Sequence, residues 1–124
     1  MKKVIHTNNA PAAIGPYSQA IEANGMLFIS GQIPVNPADG TVPEGIAAQT
    51  EQVMRNIAAI LDEAGYPFDN VVKTTCLLSD IANFAAMNEV YATRFPNNPP
   101  ARAAFAVRDL PKGVMVEIEV IAVK

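Results

Sequence analysis

Val4–Thr7 is the first stretch with a readable alternation of apolar and polar positions, and it predicts a short strand. Beyond the Gly15-Pro16 turn a second run reaches Ala23. Asn24-Gly25 follows, a pair that accepts the positive φ angles of a two-residue hairpin turn, and Met26–Ser30 is the returning strand. From Gly31 to Pro43 the sequence GQIPVNPADGTVP is dense in Gly, Pro, Asn and Asp, which predicts a long loop of the kind that often carries function. Apolar side chains then recur at helical spacing at Ile46, Val53, Ile57, Ile60, Leu61 and Ala64, with Gly65 placed for a left-handed cap and Pro67 just beyond it. Val71–Ser79, rich in Val, Thr and Leu, predicts a buried strand, after which Asp80 can cap a second helix that Pro96 closes. Past the rigid NNPP connector, Ala101–Val107 predicts a strand, DLPKG (109–113) a turn, and the run from Val114 to Lys124 a long terminal strand. With the hairpin as its first pair, the order reads ββ, α, β, α, ββ: an α+β layer with two helices on one face of a mixed sheet.

The chain has 124 residues, one domain's worth, and at that length folding buries roughly two-thirds of the surface that the unfolded chain exposes. Half of its residues are hydrophobic and only 17% are charged, an apolar excess for so small a body, which predicts burial between subunits as well as inside one. The net charge of −3 and the scattered Lys and Arg residues leave no basic stripe for a phosphate backbone, so nucleic acid is an unfavoured partner. Cys76 is the only cysteine, which excludes an internal disulfide and a thiolate zinc site and fits a reducing, cytoplasmic compartment. MKKVIHTNNAP is followed by no signal-like apolar core, and no run approaches the roughly 20 residues needed to cross a bilayer.

The single histidine, His6, excludes a histidine triad or a multi-histidine metal site, and there is no phosphate loop or dinucleotide fingerprint. Two features are odd. Arg102 stands in PPARAAFAV with no charged neighbour for several residues, on a strand that should be partly buried, so its guanidinium needs an anion. That anion is either a carboxylate of the protein itself or a ligand, unless the arginine head simply reaches water at a strand edge. In the terminal strand, period-two alternation puts Val114, Val116, Ile118 and Val120 on one face and Met115, Glu117, Glu119, Ile121 and Val123 on the other. Two glutamates thus share a face with apolar side chains, either as a solvated or subunit-facing stretch or as a pocket carboxylate whose pKa desolvation raises. Tyr17, Ser18, Ser30 and Asn88 are further polar candidates. Together these residues allow an anion-binding pocket with an acidic group, and they name no substrate.

APAAIGPYSQA (10–20), ISGQIPVNP (29–37), VVKTTCLLSD (71–80), FAAMNEVYATRF (84–95), PPARAAFAV (99–107) and LPKGVMVEIEVIAV (110–123), taken in this order and spacing, resemble the reactive-intermediate deaminase (Rid) family from about Val4 to Lys124. The resemblance implies a chorismate-mutase-like α+β fold, a homotrimer with sites in the clefts between subunits, and cofactor-free, metal-free hydrolysis of 2-iminobutanoate and 2-iminopropanoate to 2-keto acids and ammonia. It assigns Arg102 to clamping the substrate carboxylate and Glu117 to orienting the attacking water. Tyr17, Ser30, Gly31 and Asn88 fall at pocket-lining positions, and the backbone near Ala103 and Ala104 is expected to help hold the ligand. Many bacterial members carry a cysteine where this chain has Ala104, so a thiol-dependent property of the family is not expected here, whereas imine hydrolysis, with water as nucleophile, is. A sensor of keto or imino acids would use the same pocket without turnover. The ribonuclease or translation-inhibitor label that the family has also carried sits poorly with the acidic balance.

Overall fold

Asn24 and Gly25 adopt φ angles of 52° and 72°, the left-handed pair that a tight hairpin demands, and they join β2 (Ala20–Ala23) to β3 (Met26–Gln32) as the sequence predicts. The computed structural model describes Met1 to Lys124. Its other strands are β1 (Lys3–Ile5), β4 (Val71–Leu78), β5 (Ala101–Ala106) and β6 (Val116–Val123); its helices are α1 (Ile46–Ala64) and α2 (Phe84–Tyr91). The six strands form one mixed sheet in the order β1-β2-β3-β6-β4-β5, antiparallel throughout except for the parallel pair β4 and β5.

The core lies between this sheet and the two helices. Val116, Ile118, Val120 and Ala122 of β6 point into it and are fully or almost fully buried against Val53, Ile57, Ile60 and Leu61 of α1 and Met87 and Tyr91 of α2. Burying a valine or isoleucine side chain in this way stabilises the fold by about 1.5–3 kcal/mol each, so the β6 alternation alone specifies which face meets the helices. Gly65 closes α1 in the left-handed region (φ 80°), its N–H bonded to the Asp62 carbonyl.

Several boundaries differ from expectation. β1 begins one residue earlier and ends two earlier than Val4–Thr7, because the Thr7 N–H turns to the side-chain oxygen of Gln19 at 2.8 Å instead of a strand partner. The expected loop from Gly31 starts later: β3 runs on to Gln32 through a register shift against β6 between Ile29 and Gln32, and Gly31 is a strand residue in that irregular stretch. Asp80 does cap, accepting from the Ala82 N–H at 2.9 Å, but it caps a 3-10 turn (Ile81–Asn83) that leads into a shorter α2. β4 and β5 each end a residue early, and β6 starts at Val116 because Pro111–Gly113 forms a turn with Lys112 at φ 58°.

Buried amides hold the irregular segments. Gln19 donates to the carbonyls of Thr7, Ala10 and Pro11 at 3.0, 3.3 and 2.8 Å, which fixes the 7–19 segment. Asn56 of α1 donates to the carbonyls of Ile33 and Val35 at 3.1 and 3.0 Å, pinning the long loop to the helix. Each is a buried polar group whose hydrogen bonds are met, and truncating either would remove hydrogen bonds that these backbone carbonyls now accept. No helix is long and apolar enough to cross a membrane.

Candidate active site

The residues singled out in the sequence fall into two groups on opposite faces of the sheet. Glu117 stands opposite Leu77 in the β4–β6 register, and Leu77 stands opposite Phe105. Arg102 stands opposite Thr74, three positions along β4, and Thr74 stands opposite Val120 in the core layer. Because successive side chains alternate, Arg102 projects to the helix side and Glu117 to the side the helices leave open.

On the open side, a cleft of about 750 Å³ gathers Tyr17, Ser30, Gly31 and Glu117, together with Gln32 and Lys112. The Gly15-Pro16 turn, closed by Tyr17 N–H to the Gly15 carbonyl at 2.9 Å, presents a Tyr17 ring that is half exposed. Ser30 ties this segment to β3: its hydroxyl donates to the Ser18 carbonyl at 2.6 Å and its N–H to the Gln19 carbonyl at 3.0 Å. Gly31 has a structural requirement of its own, since a Cβ there would overlap Oε2 of Glu117. The carboxylate lies against the bare Cα. Burial pushes the Glu117 carboxyl above the usual glutamate range, and the neighbouring Glu119 charge adds to the shift. Glu117 makes no hydrogen bond or ion pair to another side chain. Glu119 is exposed, so of the two glutamates Glu117 is the desolvated one.

On the helix side, Arg102 donates from Nη1 to Oδ1 of Asn88 at 2.7 Å and stacks its guanidinium carbon 5.3 Å from the Phe84 ring centroid and 4.9 Å from that of Tyr91. No carboxylate lies within ion-pair distance of it. Arg94 supplies the contrast: it forms a two-pronged pair with Glu51 at 3.0 and 2.8 Å, and that guanidinium holds the Glu51 carboxyl below its ordinary range. The open question about Arg102 thus closes against an internal carboxylate. The Cys76 thiol is close enough to feel both the charge of the Arg102 guanidinium and a hydrogen bond from it. Nε and Nη2 nevertheless bond no oxygen of the chain and are not sealed from solvent, so one edge of the fork is open to a carboxylate.

Ala103 lies opposite Thr75 on the open face and Ala104 opposite Cys76 on the helix face, on an edge strand whose outer side has no neighbour in the chain. Cys76 is completely buried beneath this layer, and burial pushes its thiol up against the opposing charge of Arg102, so it presents no thiolate where Ala104 lacks one. His6 is exposed. Sequence reasoning missed Gln19, which anchors the Tyr17 segment, and the aromatic partners of Arg102. The recurrence of Phe84, Asn88 and Tyr91 at i, i+4 and i+7 was the available signal for the second.

The family model described as Endoribonuclease L-PSP matches residues 7–124. The chain belongs to this family, whose members are also called Rid proteins. A RutC family protein of Pyrococcus horikoshii is 55% identical over 100% of this chain and 99% of its own length. A mouse protein named 2-iminobutanoate/2-iminopropanoate deaminase is 50% identical over 100% of this chain and 93% of its own. Among solved structures, a Rid-family protein of Yersinia pestis superimposes with a TM-score of 0.97 at 52% identity, covering both chains completely. The α+β architecture of this Rid chain is therefore that of its relatives.

Proposed function

We propose that this Rid protein hydrolyses 2-imino acids, 2-iminobutanoate and 2-iminopropanoate first among them, to 2-keto acids and ammonia, and that in the cytoplasm it removes these imines before they damage other enzymes. The observation that carries the reading is a complementary pair of unsatisfied charges: an arginine with a free fork and no internal carboxylate, and a desolvated glutamate with no internal cation. A 2-imino acid supplies what each lacks, a carboxylate for Arg102 and an electrophilic carbon beside Glu117. Half-identical relatives named as deaminases of these imines support the same chemistry.

The two groups lie on opposite faces of one sheet, so the reading includes assembly: a homotrimer of the chorismate-mutase-like kind in which the Glu117 cleft of one copy meets the Arg102 side of the next. The open face offers the surface for it, since Phe28, Phe105 and Val123 are 41%, 48% and 37% exposed there and Ile121 is half-buried among them. A monomer by analytical ultracentrifugation at micromolar concentration would separate Glu117 from Arg102 and remove the site.

In the mechanism, Arg102 pairs with the substrate carboxylate and Asn88 holds the arginine in place, with the free backbone edge near Ala103 and Ala104 beside the ligand. Glu117, its pKa raised by burial, takes a proton from a water that attacks C2 of the protonated imine. A C–O bond forms and the C=N π pair moves to nitrogen. Collapse of the carbinolamine re-forms C=O, expels ammonia and returns the proton through the carboxyl group. Tyr17, Ser30 and Gly31 shape the wall, and orientation supplies most of the acceleration because imines hydrolyse readily in water. A polyanion would meet Glu117, Glu119 and a single lysine, Lys112, in this cleft, which disfavours a ribonuclease.

The test is a coupled assay in which a threonine dehydratase generates the imine and the appearance of 2-ketobutyrate and ammonia is followed with and without this protein. The expected result is faster release at catalytic amounts. Binding of 2-ketobutyrate with no acceleration would make the protein a sensor.

A further inference from the structure

The Arg102 guanidinium lies over two aromatic rings, and the arrangement extends well beyond the arginine. Phe84, Asn88 and Tyr91 occupy one stripe of α2, and all three touch the guanidinium, the two rings with their faces and the amide by hydrogen bond. Tyr91 is itself fixed: its hydroxyl shares a 2.7 Å hydrogen bond with Thr74, the register partner of Arg102, and its ring packs 4.9 Å from Phe95, which packs 5.6 Å from Phe68. An internal carboxylate would stabilise the arginine equally well, but it would occupy the N–H edge and compete with any ligand. Ring faces attract the cation without using its donors. They also remove rotamer freedom from a long side chain before the ligand arrives, and that freedom would otherwise be lost on binding.

We infer that Phe84 and Tyr91 are positioning residues for the carboxylate clamp: their two rings hold the Arg102 guanidinium so that its Nε and Nη2 edge is aimed before the ligand arrives. The inference rests on the reading of Arg102 as the clamp.

The experiment measures 2-ketobutyrate affinity by calorimetry and the Arg102 Nε–Hε resonance by NMR for wild type, Phe84→Leu, Tyr91→Leu, Tyr91→Phe and Arg102→Ala, with a thermal melt confirming that each is folded. Phe84→Leu and Tyr91→Leu each weaken binding roughly three- to tenfold and broaden the Nε–Hε signal, which leaves its ring-shifted position. Tyr91→Phe, which keeps the ring and loses only the Thr74 bond, stays within about twofold of wild type and keeps the ring-current shift. A general packing defect would lower the melting temperature without this dependence on a ring. If Tyr91→Leu fails to fold, Phe84→Leu, at a half-buried position, carries the test. Folded leucine variants with wild-type affinity and an unmoved Nε–Hε signal, alongside an Arg102→Ala variant that binds at least about tenfold more weakly, overturn this inference and leave the clamp standing. Wild-type affinity in Arg102→Ala overturns the clamp and the inference together.

Discussion

Val116, Ile118, Val120 and Ala122 point from β6 into the core beneath the helices, while Glu117 and Glu119, one residue out of phase, point away from it. The two faces treat charge in opposite ways. On the helix side a cation sits among rings and an amide with no anion near it; on the open side a carboxylate sits against a bare glycine Cα with no cation near it. Elsewhere the chain pairs such groups readily, as Arg94 with Glu51 shows. The contrast teaches that Arg102 and Glu117 are kept apart from internal partners by placement, which is why the proposed site needs one face from each of two copies.

The largest expected effect comes from the open side. Glu117→Gln keeps the shape of the cleft and removes the base, so the catalysed rate is expected to fall about a hundredfold in the dehydratase-coupled assay while 2-ketobutyrate still binds. The same change tests the desolvation directly. Folding raises the Glu117 pKa, so the folded state holds that proton more tightly than the unfolded chain, and ionisation costs stability as pH rises through the folded value. Glu117→Gln therefore leaves the melting temperature at pH 7 unchanged or slightly raised, and the gain vanishes below the ordinary glutamate range. A loss of melting temperature at pH 7 would show that the carboxylate has a partner that stabilises it.

On the helix side, Arg102→Ala should weaken 2-ketobutyrate binding about tenfold to a hundredfold, since charge-assisted bonds contribute roughly 1.5–3 kcal/mol. Arg102→Lys recovers little of this, because an ammonium lacks the planar fork. The thermal melt should move by no more than about 4 °C, because no buried carboxylate is stranded. A larger fall would place the arginine among the stabilising groups.

Smaller effects sharpen the picture of how Glu117 is held. Gly31→Ala leaves an ordinary backbone but forces the Glu117 carboxylate aside, so the rate is expected to drop about tenfold with little change in binding. An unaffected rate would mean that the carboxylate works from another position. Glu119→Gln removes the like charge beside Glu117, so the acid limb of the pH–rate profile should shift to lower pH, more at low salt than at high. A fixed limb would leave burial as the only cause.

The sequence was most legible where one periodicity ruled. The β6 alternation identified both faces, Asn24-Gly25 placed the hairpin, and the helical spacing with Gly65 placed α1. Arg102 and Glu117 were legible as oddities because charges on partly buried strands need a reason. Their placement on opposite faces was not, since it depends on the register of β4 with both β5 and β6, which no single strand's alternation reveals. The extension of β3 through Gly31 was hidden for a related reason: Gly and Gln read as loop until the β3–β6 register shift is known. Cys76 is far from Ala104 along the chain, yet the parallel pairing makes the two register neighbours.

The central claim is that Arg102 and Glu117 meet only between copies of the chain. Complementation between inactive variants tests it most directly: Arg102→Ala and Glu117→Gln chains, each inactive alone, are unfolded together, refolded as a mixture, and assayed. In a trimer whose sites each take Arg102 from one copy and Glu117 from the next, every mixed trimer has one intact site. Random 1:1 mixing makes three-quarters of the trimers mixed, so activity should return to about one quarter of wild type. If both groups acted within a single chain, no intact site could form, and a mixture as inactive as its two components would contradict the claim.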